Sequence, residues 1–324
     1  MIDFVTAWSM KTEITAERFI SWIGIRKQKY YDWKQRYGKV NEHNAWIPRD
    51  HWLTQTEKLA ILDYFDRHPT EGYRRLTWMM NDADVVAVSP TSVWRVLRAG
   101  GRLDKWTRKA SKKGTGFQQP LQPHEHWHTD IAYINVAGTF YYLCTVLDGC
   151  SRYIVSWDLR ESLTTAELQI IVERGREAFP GVNPRIISDN GPQFISADFK
   201  EYIRLTGMSH VRISPYYPQS NGKIERYHRT IKGDTVRVTP PSTVEEARRL
   251  ITRFVAYYND QRLHSAIDYV TPADRLHGRH LVIKAARIAK LEAAREHRAA
   301  VRAASPPPAR PRPPSSPEQV AATA

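Results

Sequence analysis

The sequence WHTDIAYINV at residues 127–136 is rich in β-branched and aromatic residues, which is typical of a β-strand. Two further runs of this kind, at 139–147 and 153–157, follow after short turns that contain Gly138 and Gly149. Three consecutive strands with short connections predict an antiparallel meander. The middle of the chain is therefore expected to fold around a β-sheet.

Helices and strands alternate after this meander. The spacing of apolar residues predicts a helix at 165–179, a strand at 185–188, a helix at 197–206, a strand at 209–213 and a helix at 221–232. Three antiparallel strands followed by alternating helices and strands describe a mixed five-stranded sheet with helices on its faces. The predicted fold class of this region is α/β.

The first hundred residues are predicted to be all-helical, with two helix-turn-helix outlines. Residues 1–50 contain two short amphipathic segments separated by a glycine turn. Residues 51–101 contain a capping box that begins at Thr54 and a helix start at Ser89, which precedes a proline. These outlines favour DNA binding. Helical hairpins that only pack together, or that bind protein, are the alternative.

Charge is unevenly distributed along the 324 residues, whose formal net charge is +14. Residues 1–113 carry +8 and residues 281–324 carry +5, whereas residues 114–280 carry only +1. Basic flanks around a nearly neutral centre predict that the flanks hold a polyanion. Charge that serves only solubility is the alternative interpretation.

Domain boundaries follow from these patterns. We expect helix-turn-helix-like units at 1–50 and 51–101, a flexible basic linker at 102–119, the α/β core at 120–280, and an Ala/Arg-rich helix with a Pro-rich disordered tail at 281–324. The tail is interpreted as an appendage, although its arginines also fit electrostatic contact with DNA.

Some classes of protein do not fit the composition. No apolar run approaches the ~20 residues that span a bilayer. Two cysteines, Cys144 and Cys150, cannot form a disulfide framework or a four-cysteine zinc site. We therefore expect a cytoplasmic, reducing setting and no membrane partner.

Three carboxylates stand at positions that need an explanation. Asp130 lies within the first predicted strand, Asp189 ends the fourth, and Glu225 lies on the last predicted helix. Burying a charge without a partner is costly, and a hard divalent cation is a common partner for carboxylates. If the first and fourth strands are neighbours, the three acids meet at one sheet edge. Alternatively, Asp189 only caps the Asn190-Gly191 turn and Glu225 is a surface acid.

The helix predicted at 221–232 carries cations beside its acid. Glu225, Arg229 and Lys232 are spaced i, i+4 and i+7, which places them on one face. We expect this face to offer a metal ligand and two phosphate-binding cations; a solvated stripe is the alternative. The predicted DNA contacts are Lys232, Arg229, Arg226, Asn221, Arg95, Arg98, Lys27 and Lys29.

Three histidines alternate just before Asp130. His124, His126 and His128 would share a strand face with this acid. A histidine metal cluster is one interpretation. Hydrogen-bonded or exposed histidines are the favoured one.

The spacing of the acids resembles a known catalytic signature. Asp189 and Glu225 are separated by 35 residues, which is similar to the D-D-35-E pattern of retroviral integrases and bacterial insertion-sequence transposases. The surrounding motifs are SDNGPQF at 188–194, SPYYPQSNGKIER at 214–226 and YNDQRLHSA at 258–266. They resemble the second-reading-frame (OrfB) transposases of the large frameshifting insertion-sequence family.

The resemblance covers roughly residues 70–278. Leu263 stands where many relatives carry proline, a departure for which we expect no catalytic consequence. Nothing in the sequence is similar to the N-terminal His/Cys zinc module of retroviral integrases, which favours the bacterial branch.

The resemblance implies an RNase H-like core and DNA strand cleavage and transfer at element ends, as in transposition, integration and recombination. Asp130, Asp189 and Glu225 would hold two Mg²⁺ or Mn²⁺ ions. Water would attack a phosphodiester to leave a 3′-hydroxyl, which then attacks a second phosphodiester in line.

The same resemblance implies several partners. They are the double-stranded DNA of the terminal inverted repeats, target DNA, further copies of the chain on DNA, and a protein of an upstream frame. Two other functions stay open. One is a DNA-binding protein whose RNase H-like domain is a non-catalytic scaffold, and the other is a ribonuclease H-type nuclease that acts on RNA–DNA hybrids.

Overall fold

The structure, a computed structural model, describes residues 1–37, 52–103, 119–213 and 221–304. The chain forms two compact units. The larger comprises Leu53–Ala294, and the smaller comprises Met1–Trp52 with Arg295–Ala324. The larger unit contains the sheet predicted from the sequence.

The sheet has the strand order β3-β2-β1-β4-β5. Its strands are β1 His126–Val136, β2 Thr139–Asp148, β3 Ile154–Arg160, β4 Arg185–Ser188 and β5 Ser209–Arg212. The first three pair antiparallel, whereas β4 pairs parallel with both β1 and β5. The predicted mixed five-stranded sheet is confirmed. Strand β3 runs three residues past its predicted end because Tyr142 of β2 still pairs with Arg160.

Helices cover both faces of the sheet. Three of them end close to their predicted bounds: α7 Thr165–Ala178, α9 Ala197–Leu205 and α10 Gly222–Ile231. Three others were not predicted: α8 Pro192–Ile195, α11 Val244–Asp260 and α12 Pro272–Leu276. Because side chains alternate along β1, Trp127 packs into one core with α7 and α9. Ala132 and Ile134 pack into the other core with α10 and α11. Asp130 has the parity of Ala132 and so belongs to the face covered by α10.

Three helices precede the sheet within the larger unit. They are α4 Gln55–Arg67, α5 Tyr73–Asp82 and α6 Pro90–Ala99. The predicted capping box is present, since Thr54 accepts from the Glu57 N–H while the Glu57 side chain accepts from the Thr54 N–H. Ser89 caps α6 and Pro90 occupies its first position, as the sequence predicts.

Two arginines hold this helical bundle against the C-terminal part of the core. Arg287, on α13 His280–Ala304, forms a bidentate pair with Asp82 at 2.7 and 2.6 Å. Arg75 donates from Nε to the Leu263 carbonyl at 2.9 Å. The helices α4–α6 thus belong to the same compact unit as the sheet.

The described residues at the start of the smaller unit form three short helices. They are α1 Ile2–Lys11, α2 Ala16–Ile23 and α3 Lys27–Arg36. Gly24 turns the chain between α2 and α3 with a φ of 76°. Val5, Ile20 and Tyr30 form the small core. Helix α1 was not predicted, because its N-cap residue, Met1, provides no side-chain hydrogen bond and so no start signal.

Two predicted segments fall mainly outside the described residues. The basic linker predicted at 102–119 is described only at 102–103 and 119, and the Pro-rich tail after 304 lies outside. The Ala/Arg-rich helix predicted from 281 is present as α13. Within the described part of the chain, no helix is long and apolar enough to cross a membrane.

Candidate active site

The sheet brings the two predicted aspartates to neighbouring strands. Strands β1 and β4 are parallel, and His128 pairs with Ile187 at the end of their ladder. When this register is extended by two residues along both segments, Asp130 lies beside Asp189. The adjacency of the first and fourth strands, on which the sequence argument depended, is therefore confirmed.

Asp189 sits on a loop that is fixed at the carboxyl end of β4. Ser188 contacts His210 Nε2 through its hydroxyl at 2.8 Å, and the Ile213 N–H donates to the Ser188 carbonyl at 3.0 Å. Asp189 Oδ1 accepts from the Gly191 N–H at 3.0 Å, so the turn cap that the alternative interpretation required exists. Its second oxygen accepts no hydrogen bond within the described residues, and the side chain is exposed. The turn cap therefore leaves the second oxygen of Asp189 available to bind a ligand.

Helix α10 places the third acid over β1. Its buried face carries Ile224, Tyr227 and Ile231, which pack against the sheet core as their spacing predicts. Glu225 and Arg229 lie on the exposed face. The helix thus presents one carboxylate and one guanidinium to solvent beside the strand that holds Asp130.

His228 joins α10 to β1 and was not identified from the sequence. Its Nδ1 lies 3.4 Å from Asp130 Oδ2, and its Nε2 lies 3.4 Å from the Thr145 hydroxyl. The side chain is only 8% exposed. His228 is three residues after Glu225, so it lies about one helical turn further along α10. A polar residue among the apolar positions of this helix was the available signal.

Lys232 extends the same site. The backbone continues past α10 as a π-helical segment, Lys232–Val236, a feature that occurs frequently at functional sites. Burial lowers the pKa of Lys232, as does Arg237, while the charge of Asp130 opposes the shift. The ammonium group is therefore half-buried and within electrostatic range of Asp130. The α-helix predicted to reach residue 232 ends at Ile231, because the wider turns of the π-helix begin at Lys232.

The three carboxylates fit a divalent cation by their chemistry. They are hard oxygen donors, the kind that Mg²⁺ and Mn²⁺ prefer. Asp130, Asp189 and Glu225 form no ion pair with a lysine or arginine in the described residues, so their charges are uncommitted. In the described ranges, no three His, Cys, Asp or Glu side chains are already grouped at metal-ligand distances. Binding would require the side chains to converge.

The alternating histidines do not form such a group. The strand begins at His126, and His124 precedes it with a φ of 64°, so only two of the three lie on β1. His128 is buried, and desolvation, reinforced by Lys223 and Arg152, lowers its pKa to about 3. The favoured interpretation of hydrogen-bonded histidines holds for His124, which accepts from Trp127 Nε1 at 3.2 Å.

Most predicted DNA contacts lie on exposed helix faces. Arg95 and Arg98 are exposed on α6, and Arg98 stacks over Trp94 at 5.0 Å. In the smaller unit, Lys29 lies over the Trp33 ring at 5.1 Å. Lys27 is exposed and forms an ion pair with Glu17 of α2.

Two further candidates lie at the start of α10 and differ in exposure. Arg226 is exposed. Asn221 departs from the expected contact with DNA, because it is only 4% exposed. It is the N-cap residue of α10, although its side chain makes no capping hydrogen bond.

Two family models, both described as the integrase core domain, match residues 120–218 and 206–272. These ranges contain all three carboxylates and most of the sheet with its covering helices. The similarity therefore falls on the part of the chain that builds the candidate site.

Individual relatives come from mobile elements. An uncharacterized 39.2 kDa protein of insertion element IS476 from Xanthomonas euvesicatoria is 24% identical over 225 residues, 68% of this chain and 64% of the relative. The transposase for insertion sequence element IS904 from Lactococcus lactis subsp. lactis (strain IL1403) is 26% identical over 219 residues, 63% of this chain and 86% of the relative. The chain thus spans just under two thirds of the first relative and more of the second.

Among solved structures, the HTLV-2 integrase catalytic core domain in complex with magnesium aligns with 48% of this chain and 99% of its own, at 19% identity and a TM-score of 0.41.

Proposed function

We propose that the chain is a transposase of the bacterial insertion-sequence type, within the retroviral integrase superfamily, and that it cleaves and joins DNA strands at the ends of an insertion sequence. The observation that carries this proposal is the convergence of three elements. Strands β1 and β4 bring Asp130 beside Asp189, and the contact from His228 to Asp130 brings the helix of Glu225 to the same place.

The three carboxylates are proposed to hold two divalent cations, Mg²⁺ or Mn²⁺. When bound, such ions supply activation of the attacking oxygen and stabilisation of the leaving oxygen of a phosphodiester. His228 would keep the Asp130 carboxylate in its position, while the turn around Gly191 orients Asp189. No serine or tyrosine nucleophile is needed, because water and then a DNA 3′-hydroxyl are the attacking groups in this scheme.

Cations of the chain are proposed to hold the DNA. Arg229 is exposed on the helix of Glu225, and Lys232 follows half-buried beside Asp130, so both can neutralise phosphates next to the reacting bond. Arg95 and Arg98 on α6, and Lys27 and Lys29 in the smaller unit, are proposed as further contacts with the duplex.

Assembly and partners follow from the reaction. Two element ends must be held together for joining, so we propose that at least two copies of the chain act on DNA. An upstream-frame protein remains a proposed partner from the sequence resemblance. The domain limits at 1–50, 51–101, 120–280 and 281–324 likewise remain proposals, with the helices of 53–103 packed on the core.

The non-catalytic scaffold is not favoured, because all three carboxylates are present and none pairs with a lysine or arginine in the described residues. A nuclease that acts on RNA–DNA hybrids would not need the basic helical units. Assays on an element-end duplex and on an RNA–DNA hybrid distinguish these two alternatives from the transposase.

The decisive experiment measures cleavage and joining on a labelled duplex taken from the inverted repeats that flank the gene. The wild-type chain with Mg²⁺ or Mn²⁺ is expected to form 3′-hydroxyl ends and joined products, and Glu225→Gln is expected to form neither. A matched control is Glu245→Gln, an exposed acid in the first turn of α11. Tight end binding without chemistry in the wild type would support the scaffold, and cleavage confined to a hybrid would support the nuclease.

A further inference from the structure

Helix α10 is joined to the sheet by side chains on both sides of Glu225. Three residues after Glu225, His228 contacts the Asp130 carboxylate on β1. Two residues before Glu225, Lys223 Nζ donates to the Gly149 carbonyl in the turn after β2, at 2.9 Å. Glu225 is therefore exposed on a short helical segment whose two ends are both tied to the sheet.

The turn that provides the Gly149 carbonyl is itself held by hydrogen bonds to several segments. The Gly149 N–H donates to the His126 carbonyl at 2.8 Å, which fastens the turn to the start of β1. The buried Asp148 accepts from the His124 N–H at 2.7 Å with Oδ1. Its Oδ2 accepts from the Ser151 N–H and hydroxyl at 2.7 and 2.6 Å. Because both carboxylate oxygens are used within the turn and its surroundings, the Gly149 carbonyl is a fixed acceptor for the lysine.

Position 149 has no room for a side chain. A Cβ there would lie 3.0 Å from His128 Nε2 and 3.1 Å from the His126 carbonyl oxygen, closer than ordinary contact between non-bonded atoms. Arg152 closes the turn with a φ of 69°, and its N–H donates to the Asp148 carbonyl at 2.9 Å. The turn is thus packed directly against β1, and its position is set by the strand.

Lys223 differs in exposure from the neighbouring cations of α10. Arg226 and Arg229 are exposed, whereas Lys223 is half-buried and its amine is bound to a carbonyl of the fold. The residue belongs to the motif SPYYPQSNGKIER at 214–226, whose spacing alone predicts no role for it. Holding a long side chain in one conformation costs entropy, and here that cost is offset by a bond that fixes where α10 begins.

We propose that Lys223 is a positioning residue for Glu225, because its bond to the Gly149 carbonyl fixes the first turn of α10 and with it the carboxylate two residues further along. The metal role of Glu225 rests on the proposed function. A residue that orients a metal ligand changes the metal affinity although it does not touch the ion. Lys223 is therefore expected to raise the affinity of the site for a divalent cation.

Charge and position predict opposite effects at this residue, because a protonated lysine is itself a cation. Loss of a positive charge close to Glu225 would, by electrostatics alone, strengthen the binding of a divalent cation. Loss of the bond to the Gly149 carbonyl would weaken it, since the carboxylate is then less well placed. The sign of the change in metal affinity separates the two.

The first test measures Mn²⁺ binding to the full chain without DNA, from the paramagnetic resonance signal of free Mn²⁺. Lys223→Met should weaken binding by roughly tenfold, the lower end of the usual effect of removing a residue that orients a metal ligand. Lys223→Arg keeps a long donor and should bind more like the wild type. Lys200→Met, which replaces an exposed lysine of α9, is the matched control and should bind as the wild type does. Unchanged or tighter binding by Lys223→Met would overturn the positioning role.

A double-mutant cycle asks whether Lys223 acts through Glu225. In a Glu225→Gln background, Lys223→Met should cause no further loss of Mn²⁺ affinity, because the ligand that it positions is gone. An equal loss in both backgrounds would contradict the assignment. Gly149→Ala disturbs the same contact from the other side, since the added Cβ would press on the His128 ring and shift the turn. Its loss of affinity should not add to that of Lys223→Met, and full additivity would show that the two residues act separately.

The unfolding midpoint without metal distinguishes positioning from packing. A Lys223→Met protein with a lower midpoint and the Mn²⁺ affinity of the wild type would make Lys223 a packing residue only. Should this variant fold poorly, Lys223→Gln takes its place, because its amide stays polar but is one bond shorter and cannot reach the Gly149 carbonyl without movement of the helix. Wild-type Mn²⁺ affinity in Lys223→Gln would count against positioning in the same way.

Strand joining separates this inference from the proposed function. If the wild type joins element ends, Lys223→Met should join them more slowly at low Mn²⁺ and recover at high Mn²⁺, while its affinity for the duplex stays the same. Joining by Lys223→Met with the rate and metal requirement of the wild type would overturn the positioning role and leave the function standing. No joining by the wild type, together with weaker Mn²⁺ binding in Lys223→Met, would count against the function and leave Lys223 as the positioning residue of a metal site.

Discussion

Helices α6 and α10 are built alike and differ in what their outer faces carry. Each has ten residues and buries apolar side chains at helical spacing, such as Val93 and Leu97 on α6. Each also exposes arginines. Helix α10 adds Glu225 to its outer face and a buried His228 that contacts Asp130. We therefore predict that α6, an amphipathic basic helix without such an acid, only holds DNA, whereas α10 takes part in the chemistry through its acid and its polar contact with the sheet.

The largest loss of strand joining is expected when one of the three carboxylates, Asp189, is replaced. Asp189→Asn should abolish strand joining while end binding remains, because an amide oxygen is a poor ligand for a divalent cation compared with a carboxylate. Asparagine is also a favoured turn residue and can keep the hydrogen bond from the Gly191 N–H. If Asp189 only caps the turn, this variant would join strands at the wild-type rate. Activity, duplex binding and the unfolding midpoint are measured on the same preparation.

A smaller loss of joining activity is expected when the contact between α10 and β1 is removed. His228→Ala should lower the rate of joining by roughly 10–100-fold, the usual effect of removing a residue that orients a metal ligand. His228→Asn should recover part of the rate, because its amide can still donate to Asp130. The metal concentration for half-maximal rate should rise in the alanine variant. A loss of stability with an unchanged metal requirement would make His228 a packing residue only.

The sequence was sufficient for the elements whose signals are local. The run at 127–136 and the start signals at Thr54 and Ser89 predicted β1, α4 and α6, because β-branched residues and helix caps act over a few positions. Helix α1 was missed since it lacks such a cap. Local signals also explain why Glu225 and Arg229 could be placed on one helix face in advance.

The contacts that complete the site could not be predicted in this way. His228 meets Asp130 only because the sheet order places β1 under α10, and the two residues are far apart in the chain. The positive φ of Arg152 depends on Asp148 holding the turn. Asn221 was predicted to contact DNA, but the fold buries it. Such features depend on pairing between segments that are distant in the chain, and the spacing of residues does not predict this pairing.

Binding by α6 is expected to be weakened moderately by removing its arginines. Arg95→Ala and Arg98→Ala should each lower affinity for any duplex and reduce the salt slope by about 0.9, as expected for one phosphate contact. The amount of joined product at saturating DNA should stay the same, unlike in the variants of α10. Arg67→Ala, which removes an exposed arginine of α4 paired with Asp63, serves as the control. An unchanged slope for both α6 variants would show that this helix does not hold DNA.

The smallest expected effect concerns the start of α6. Ser89 accepts from the Ser92 N–H at 3.3 Å and lies ahead of Pro90, so Ser89→Ala removes a cap while the proline still favours the first turn. The cost should be about 1 kcal/mol of unfolding free energy. Ser89→Asp restores a cap and should recover it. If α6 holds DNA, loss of the cap at its N-terminal end should weaken duplex binding slightly. The metal concentration for half-maximal joining should stay the same. A change in metal requirement would mean that the two helices act on one site, contrary to the division of roles drawn from their outer faces.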